Sequence, residues 1–171
     1  MSNNITYRTI EVSDNEALAT MIREVFHEFD APRIGTVYSD PTTDDLFQLF
    51  QAPKSVLWVA TENDVVLGCC GVYPTPGLDH STVELVKFYL PKEARGKGIG
   101  YQLMQLSIQS AKEFGFSNIY LESLPHFDKA IQLYTSVGFE ELDKPLGESG
   151  HSSCDVWMVK KIKSEKLKIK N

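Results

Sequence analysis

Arg95-Gly96-Lys97-Gly98-Ile99-Gly100 places three glycines at alternate positions between an apolar run at 83–90 and an amphipathic stretch at 98–114. The run Val-Glu-Leu-Val-Lys-Phe-Tyr-Leu is rich in β-branched and aromatic residues and predicts a strand. Ile99, Leu103 and Leu106, with Met104, Ile108 and Ala111 beside them, predict a helix packed on two faces and stopped by Gly115. The glycines let the backbone turn sharply and present successive N–H groups. The helix adds its unpaired first-turn donors and about half a positive charge of macrodipole. With Arg95 and Lys97 alongside, this loop suits an anion, most simply a pyrophosphate. The spacing excludes two common phosphate loops. No Gly-Lys-Ser/Thr follows a glycine at the Walker interval, and a dinucleotide fingerprint would need glycine where Tyr101 or Leu103 stands.

Around this centre the chain reads as alternating short elements. A strand is expected at 5–10, then a helix capped by Ser13 or Asp14 with Leu18, Met21, Ile22, Val25, Phe26 and Phe29 on one face. Asp30-Ala31-Pro32-Arg33 breaks it, and a second helix is expected from Thr42 or Thr43, with Leu46, Leu49 and Phe50 as its stripe. Strands at 55–61 and 65–73 form a hairpin through Glu62-Asn63-Asp64. A strand at 117–122 follows the loop helix, so one helix separates it from 83–90 and a parallel βαβ unit is the natural arrangement. A helix at 126–137 ends at Gly138-Phe139, and strands at 139–142 and 154–161 close the chain. The order is β-α-α-β-β-β-α-β-α-β-β.

At 171 residues the chain fits one domain, expected over 1–163 with a basic tail at 164–171. Charge is uneven. Of 17 basic and 23 acidic residues, six and one fall in the last twelve, so the body carries about −11. Such a body argues against nucleic acid and favours a cationic substrate such as an amine. No apolar run reaches the length of a membrane span and no signal peptide opens the chain, so a cytoplasmic address is expected. Cys69, Cys70 and Cys154 have no metal spacing and read as small buried hydrophobes in a reducing compartment.

Three linked pieces carry a resemblance: Glu84-Leu85 with Leu90, the loop Arg95 to Gly100, and Ala130-Ile131-Gln132-Leu133-Tyr134 followed by Gly138-Phe139. Together, and in element order across essentially the whole chain, they resemble the GNAT superfamily of acetyl-CoA-dependent N-acetyltransferases. The resemblance implies a single-domain α+β fold, a mostly antiparallel sheet of about seven strands whose central parallel pair splays apart. It implies acetyl-CoA as cosubstrate, with the pyrophosphate over Arg95, Gly96, Lys97, Gly98, Ile99 and Gly100 and the pantetheine arm on the backbone of Phe88 and Leu90. No metal is expected.

For amine acylation the resemblance points to Glu84 as base and to Tyr134 as the group facing the thioester sulfur. As a lone carboxylate in an apolar run, Glu84 is placed for desolvation to raise its pKa toward neutrality. The alternatives are a Glu84 facing solvent or pairing with Lys87, and a Tyr134 that only packs. Arg33 and Tyr38, in the loop between the first two helices, are candidates for the acceptor pocket, although a surface role suits both. Two departures from the family pattern stand out: Phe127 occupies a position where an asparagine often contacts the cofactor arm, and Pro91 directly follows Leu90. His80, His126 and His151 read as surface histidines, and Asp155 as an edge-strand acid. The acceptor is expected to be a small-molecule or amino-acid-like primary amine. A protein lysine or N-terminus, a non-catalytic acyl-CoA-binding role and a homodimer stay open.

Overall fold

The apolar runs at 55–61, 65–73 and 83–90 lack clean alternation because the sheet they build is covered on both faces. The computed structural model describes residues 4–165. In chain order they form β1 (Thr6–Thr9), α1 (Asn15–Glu28), α2 (Leu46–Leu49), β2 (Val56–Glu62), β3 (Val65–Tyr73), β4 (Thr82–Tyr89), α3 (Ile99–Glu113), β5 (Asn118–Ser123), α4 (Asp128–Ser136), β6 (Glu140–Leu142) and β7 (Val156–Lys161). The sheet runs β1-β2-β3-β4-β5-β7-β6, antiparallel at every step except between β4 and β5. The expected element order and the seven-stranded sheet with a central parallel pair are both observed. Asn63 and Asp64 turn the β2–β3 hairpin with φ of 50° and 64°, the left-handed pair that suits the twist of a two-residue connection.

One buried cluster lies under α3 and α4, where Leu103, Met104 and Ile108 meet Val72, Leu85 and Leu121. The other joins Leu18, Ile22 and Phe26 of α1 to Leu57, Val59 and Cys69. Cys69 and Cys70 are adjacent and fully buried in opposite clusters, as small hydrophobes alternating along a strand.

Two expectations need correction. The helix expected from residue 42 is a single α-turn, preceded by 3₁₀ turns at Val37–Ser39 and Pro41–Asp44. Asp40 accepts from the Thr42 N–H at 2.9 Å and Asp45 from the Gln48 N–H at 3.2 Å, so local side-chain bonds replace a longer helical ladder. The last strand begins at Val156 rather than 154, because Cys154 donates its N–H to His151 in a turn. At the far end Glu165 donates its N–H to the Lys112 carbonyl at 2.9 Å. The tail lysines 166, 168 and 170 lie outside the described residues.

The entry to α1 is held by a bidentate ion pair. Arg8 donates to both oxygens of buried Asp14 at 2.8 and 2.9 Å, and the Glu11 N–H donates to the same carboxylate at 2.7 Å. Burial opposes ionisation of Asp14, but these donors outweigh it and hold its pKa below the ordinary value. Asp14→Ala is expected to cost about 2 kcal/mol by leaving Arg8 and the Glu11 N–H unsatisfied. A urea titration at pH 7 measures it. Because the folded pKa is depressed, the difference from wild type shrinks as pH falls through the folded pKa.

Candidate active site

Strands β4 and β5 pair only at Thr82–Asn118, Val83–Ile119 and Glu84–Tyr120. Beyond Glu84 they part, while β5 stays paired with β7 through Ser123 and Val156. On its other edge β4 bulges: Val86 faces Gly71 and Tyr89 faces Cys69, so Lys87 and Phe88 together stand opposite Cys70. Lys87 takes φ of +56°, the left-handed region that non-glycine residues seldom enter. The extra residue shifts the alternation of the strand. Val83, Leu85, Phe88 and Leu90 pack on the α3 side, whereas Val86 and Tyr89 pack on the α1 side.

A cavity of about 610 Å³ occupies the opening, with β4 from Glu84 to Leu90 on one wall and Glu122, Ser123 and Leu124 on another. It extends to the glycine loop. Gly96 and Gly98 have φ of +76° and +81° with no atom within 4 Å of an added Cβ, so conformation rather than space demands glycine at both. Gly98 caps α3, leaving the N–H groups of Ile99, Gly100 and Tyr101 without helical partners. At Gly100 the restraint is contact: a Cβ there would lie 3.2 Å from Cζ of Phe88, and the ring would have to yield by a few tenths of an ångström.

The two basic residues of the loop differ. Arg95 donates to the Leu90 carbonyl at 3.2 and 2.9 Å, pairs with Glu28 at 2.5 Å and lies over the Phe29 ring at 5.0 Å, fastening the loop to β4 and α1. Lys97 is exposed and makes no hydrogen bond or ion pair among the described residues. Ile99 anchors α3 with a side chain only 1% exposed.

Glu84 sits where the parallel pairing ends. It is 4% exposed, and its Oε1 accepts from the Thr75 hydroxyl at 3.0 Å. Burial, reinforced by the neighbouring Glu122 carboxylate, pushes its pKa up to about 8. Tyr134 lines the same cavity from α4, 6% exposed, between Phe88 at 5.9 Å and Phe139 at 5.8 Å. Burial holds its phenol above the ordinary range. Among the described residues its hydroxyl has no hydrogen-bond partner.

Arg33 and Tyr38 do not line this cavity. Arg33 donates to Nδ1 of His27 at 2.7 Å, the Tyr38 hydroxyl meets Nε2 at 3.0 Å, and the Arg33 guanidinium covers the Tyr38 ring at 5.2 Å. Thr36 and Val37 of the same loop reach the cavity instead. His151, read as a surface residue, lines the cavity with a side chain 16% exposed and donates from Nε2 to Asp40 at 2.9 Å. Burial opposes ionisation of Asp40, but the bonds from His151 and Thr42 win and hold its pKa at about 2. The loop at 143–153 carries His151 inward, and no local pattern announces this.

Phe127 is wedged edge-on between Phe26 at 5.4 Å and Phe29 at 5.5 Å, with Tyr89 at 6.4 Å, tying the start of α4 to α1. Cys154 lines the cavity, and burial pushes its thiol up to about 12, so it stays protonated near neutrality. Asp155, the acid expected on an edge strand, is exposed just before β7. Lys87 is the residue most hidden from sequence reading. It is 7% exposed and lines the cavity, and burial pushes its pKa below the ordinary value against the pull of the Asp40 and Glu84 carboxylates. Its one sequence signal is a charge within an apolar strand. Among the described residues no group of three or more His, Cys, Asp and Glu could hold a metal, and no helix is long and apolar enough to cross a membrane.

Comparison with known proteins agrees with this arrangement. Residues 20–139 match the model of the acetyltransferase (GNAT) family. The chain is 35% identical over 156 residues to the uncharacterized N-acetyltransferase YjgM of Escherichia coli K12, covering 91% of this chain and 93% of that one. Among solved structures, a GNAT-family acetyltransferase from Staphylococcus aureus Mu50 superposes with a TM-score of 0.81 at 23% identity, over 94% of this chain and all of that one. A GNAT-superfamily phosphinothricin acetyltransferase from Sinorhizobium meliloti, solved with AcCoA, gives 0.73 at 18% identity over 93% and 89%. By the family match and the relative that spans nearly its whole length, the chain belongs to the GNAT acetyltransferase family and is an acyltransferase.

Proposed function

We propose that the protein transfers an acetyl group from acetyl-CoA directly to the primary amine of a small-molecule or amino-acid-like acceptor. One observation carries this reading: β4 and β5 separate at Glu84, and the resulting cavity joins Glu84, Tyr134 and the glycine loop in a single space. The S. meliloti neighbour crystallised with AcCoA supports the choice of cosubstrate. The residues present fit such a molecule. Unpartnered N–H groups at the start of α3, with exposed Lys97 beside them, suit a pyrophosphate, and the unpaired edge of β4 at Phe88 and Leu90 suits an amide-bearing arm.

Bound acetyl-CoA would supply an already activated carbonyl, so no covalent acyl-enzyme is required. Glu84, held by Thr75, takes a proton from the acceptor ammonium so that the neutral amine can attack. Tyr134 points no donor elsewhere and offers its O–H to the departing sulfur. Phe127, Phe29 and Phe26 wall the space with apolar rings, which strengthens the electrostatics within it. Arg95 holds the Leu90 carbonyl and so fixes the end of β4 on which the arm would lie.

Acceptor-dependent release of free CoA thiol across amines, amino acids, polyamines and short peptides tests the reading, with calorimetry of CoA binding alongside. The expected result is micromolar-range CoA binding and thiol release with small amines or amino acids. Release with peptides alone would move the acceptor to a protein chain, and absence of CoA binding would overturn the assignment of residues 95–100.

A further inference from the structure

The cavity beside Glu84 contains a basic side chain that the transfer chemistry leaves unused. Four basic side chains line the space. Arg95 is paired with Glu28, His151 donates to Asp40, and Lys129 is exposed at the rim. Lys87 alone is buried, and among the described residues its ammonium makes no hydrogen bond or ion pair. Its backbone is also unusual, with φ of +56° at the bulge of β4 and its carbonyl fixed by the Cys69 thiol at 3.0 Å. A long flexible lysine is a poor choice for a left-handed position in a buried strand. Rare backbone conformations that persist in a rigid setting mark functional positions. Here the bulge delivers an ammonium to the cavity on the side where Glu84 stands.

We infer that Lys87 binds the carboxylate of the acceptor, so that the acceptor is an α-amino acid whose amine faces Glu84 and whose carboxylate pairs with Lys87. This rests on the acetyl-transfer reading of the same cavity. The two groups stand three residues apart on one bulged strand and both line this cavity, so a ligand that meets both carries an amine and a carboxylate within one small molecule. A zwitterion with both groups on one carbon meets that condition, and a polyamine does not. Glu84 and Glu122 give the amine an acidic surrounding, while Lys87 is the buried counter-charge for the carboxylate. Asp40 is engaged by His151 and Thr42, which leaves the Lys87 ammonium available to a ligand.

The test compares L-amino acids with their own amides as acceptors, in the wild type, Lys87→Gln and Lys87→Arg, following thiol release. The amide has the more weakly basic amine, so any preference for the acid comes from the carboxylate and not from the nucleophile. The wild type is expected to favour acids by about 100-fold in kcat/KM. Lys87→Gln should lose that preference through KM for the acid, with rates for amides kept within a few-fold and CoA affinity unchanged. Lys87→Arg should retain most of it. Equal use of acid and amide by the wild type would overturn the inference, and this comparison needs no variant to fold. So would an equal loss for acid and amide in Lys87→Gln, which marks a structural lysine. Release from amides and simple amines but not from acids overturns the inference alone, whereas release from no acceptor overturns the transfer reading with it.

Discussion

Glu84→Gln is expected to lower turnover by 10²–10⁴-fold, the range of a lost general base, while leaving CoA affinity within a few-fold of wild type. The magnitude follows from a comparison of proton affinities. A lysine-like amine of pKa about 10.4, the most demanding acceptor, gives up its proton to an ordinary carboxylate at a cost of roughly 8 kcal/mol. To a carboxylate raised to about 8 the cost is roughly 3 kcal/mol. The same burial fixes the pH dependence. As the proposed base Glu84 must be ionised, so kcat/KM for wild type is expected to climb through about pH 8 and level off above it. The variant should lack that limb.

Stability moves in the opposite sense. A carboxyl whose folded pKa exceeds its unfolded value contributes stability that is full below the unfolded pKa, about 4.5, and is lost as pH rises through the folded one, about 8. Glu84→Gln should therefore melt close to wild type at pH 5 and several degrees above it at pH 9. Scanning calorimetry at both values measures this, and a variant less stable at pH 9 would show that Glu84 is paired rather than desolvated.

The second large effect is expected at Tyr134. Tyr134→Phe should reduce kcat by 10–100-fold, the worth of about 1.5–3 kcal/mol for a hydrogen bond to a charged atom, without weakening CoA binding. Full proton transfer is disfavoured. A phenol already costs about 2 kcal/mol to deprotonate against a thiolate of pKa about 8.5, and burial raises the Tyr134 phenol further. The role proposed for Tyr134 is thus a hydrogen bond to the departing sulfur. Acetyl thioesters of more acidic thiols should recover much of the lost rate in Tyr134→Phe, because their sulfur needs less help. Folding should be unharmed, since among the described residues the hydroxyl has no partner to lose. A variant that melts lower and loses CoA affinity in step with kcat would mark Tyr134 as packing alone.

Much of this architecture is legible without coordinates because its signals are local. Glycines at 96 and 98, Gly115 after an apolar helix and an Asn-Asp hairpin act through the φ of single residues. Phe127 was visible as a departure, yet its contacts with Phe26 and Phe29 depend on where α1 and α4 meet. Arg33 and Tyr38 share a loop with Thr36 and Val37, and nothing in their identity tells that His27 holds the first pair away from the cavity.

The strand–loop–helix unit and the order of elements follow from the residues alone, since each is set by short-range backbone preference and by burial of apolar runs. What shares the cavity depends instead on how the elements pack. In a regular strand, residues three apart face opposite sides, so alternation places Glu84 and Lys87 on different faces. The bulge at Lys87 and Phe88 cancels that parity, and it exists because β3 offers one residue where β4 spends two. His151 and Asp40 meet across more than a hundred residues of chain. Such meetings depend on how loops close over a packed sheet, which no local preference encodes.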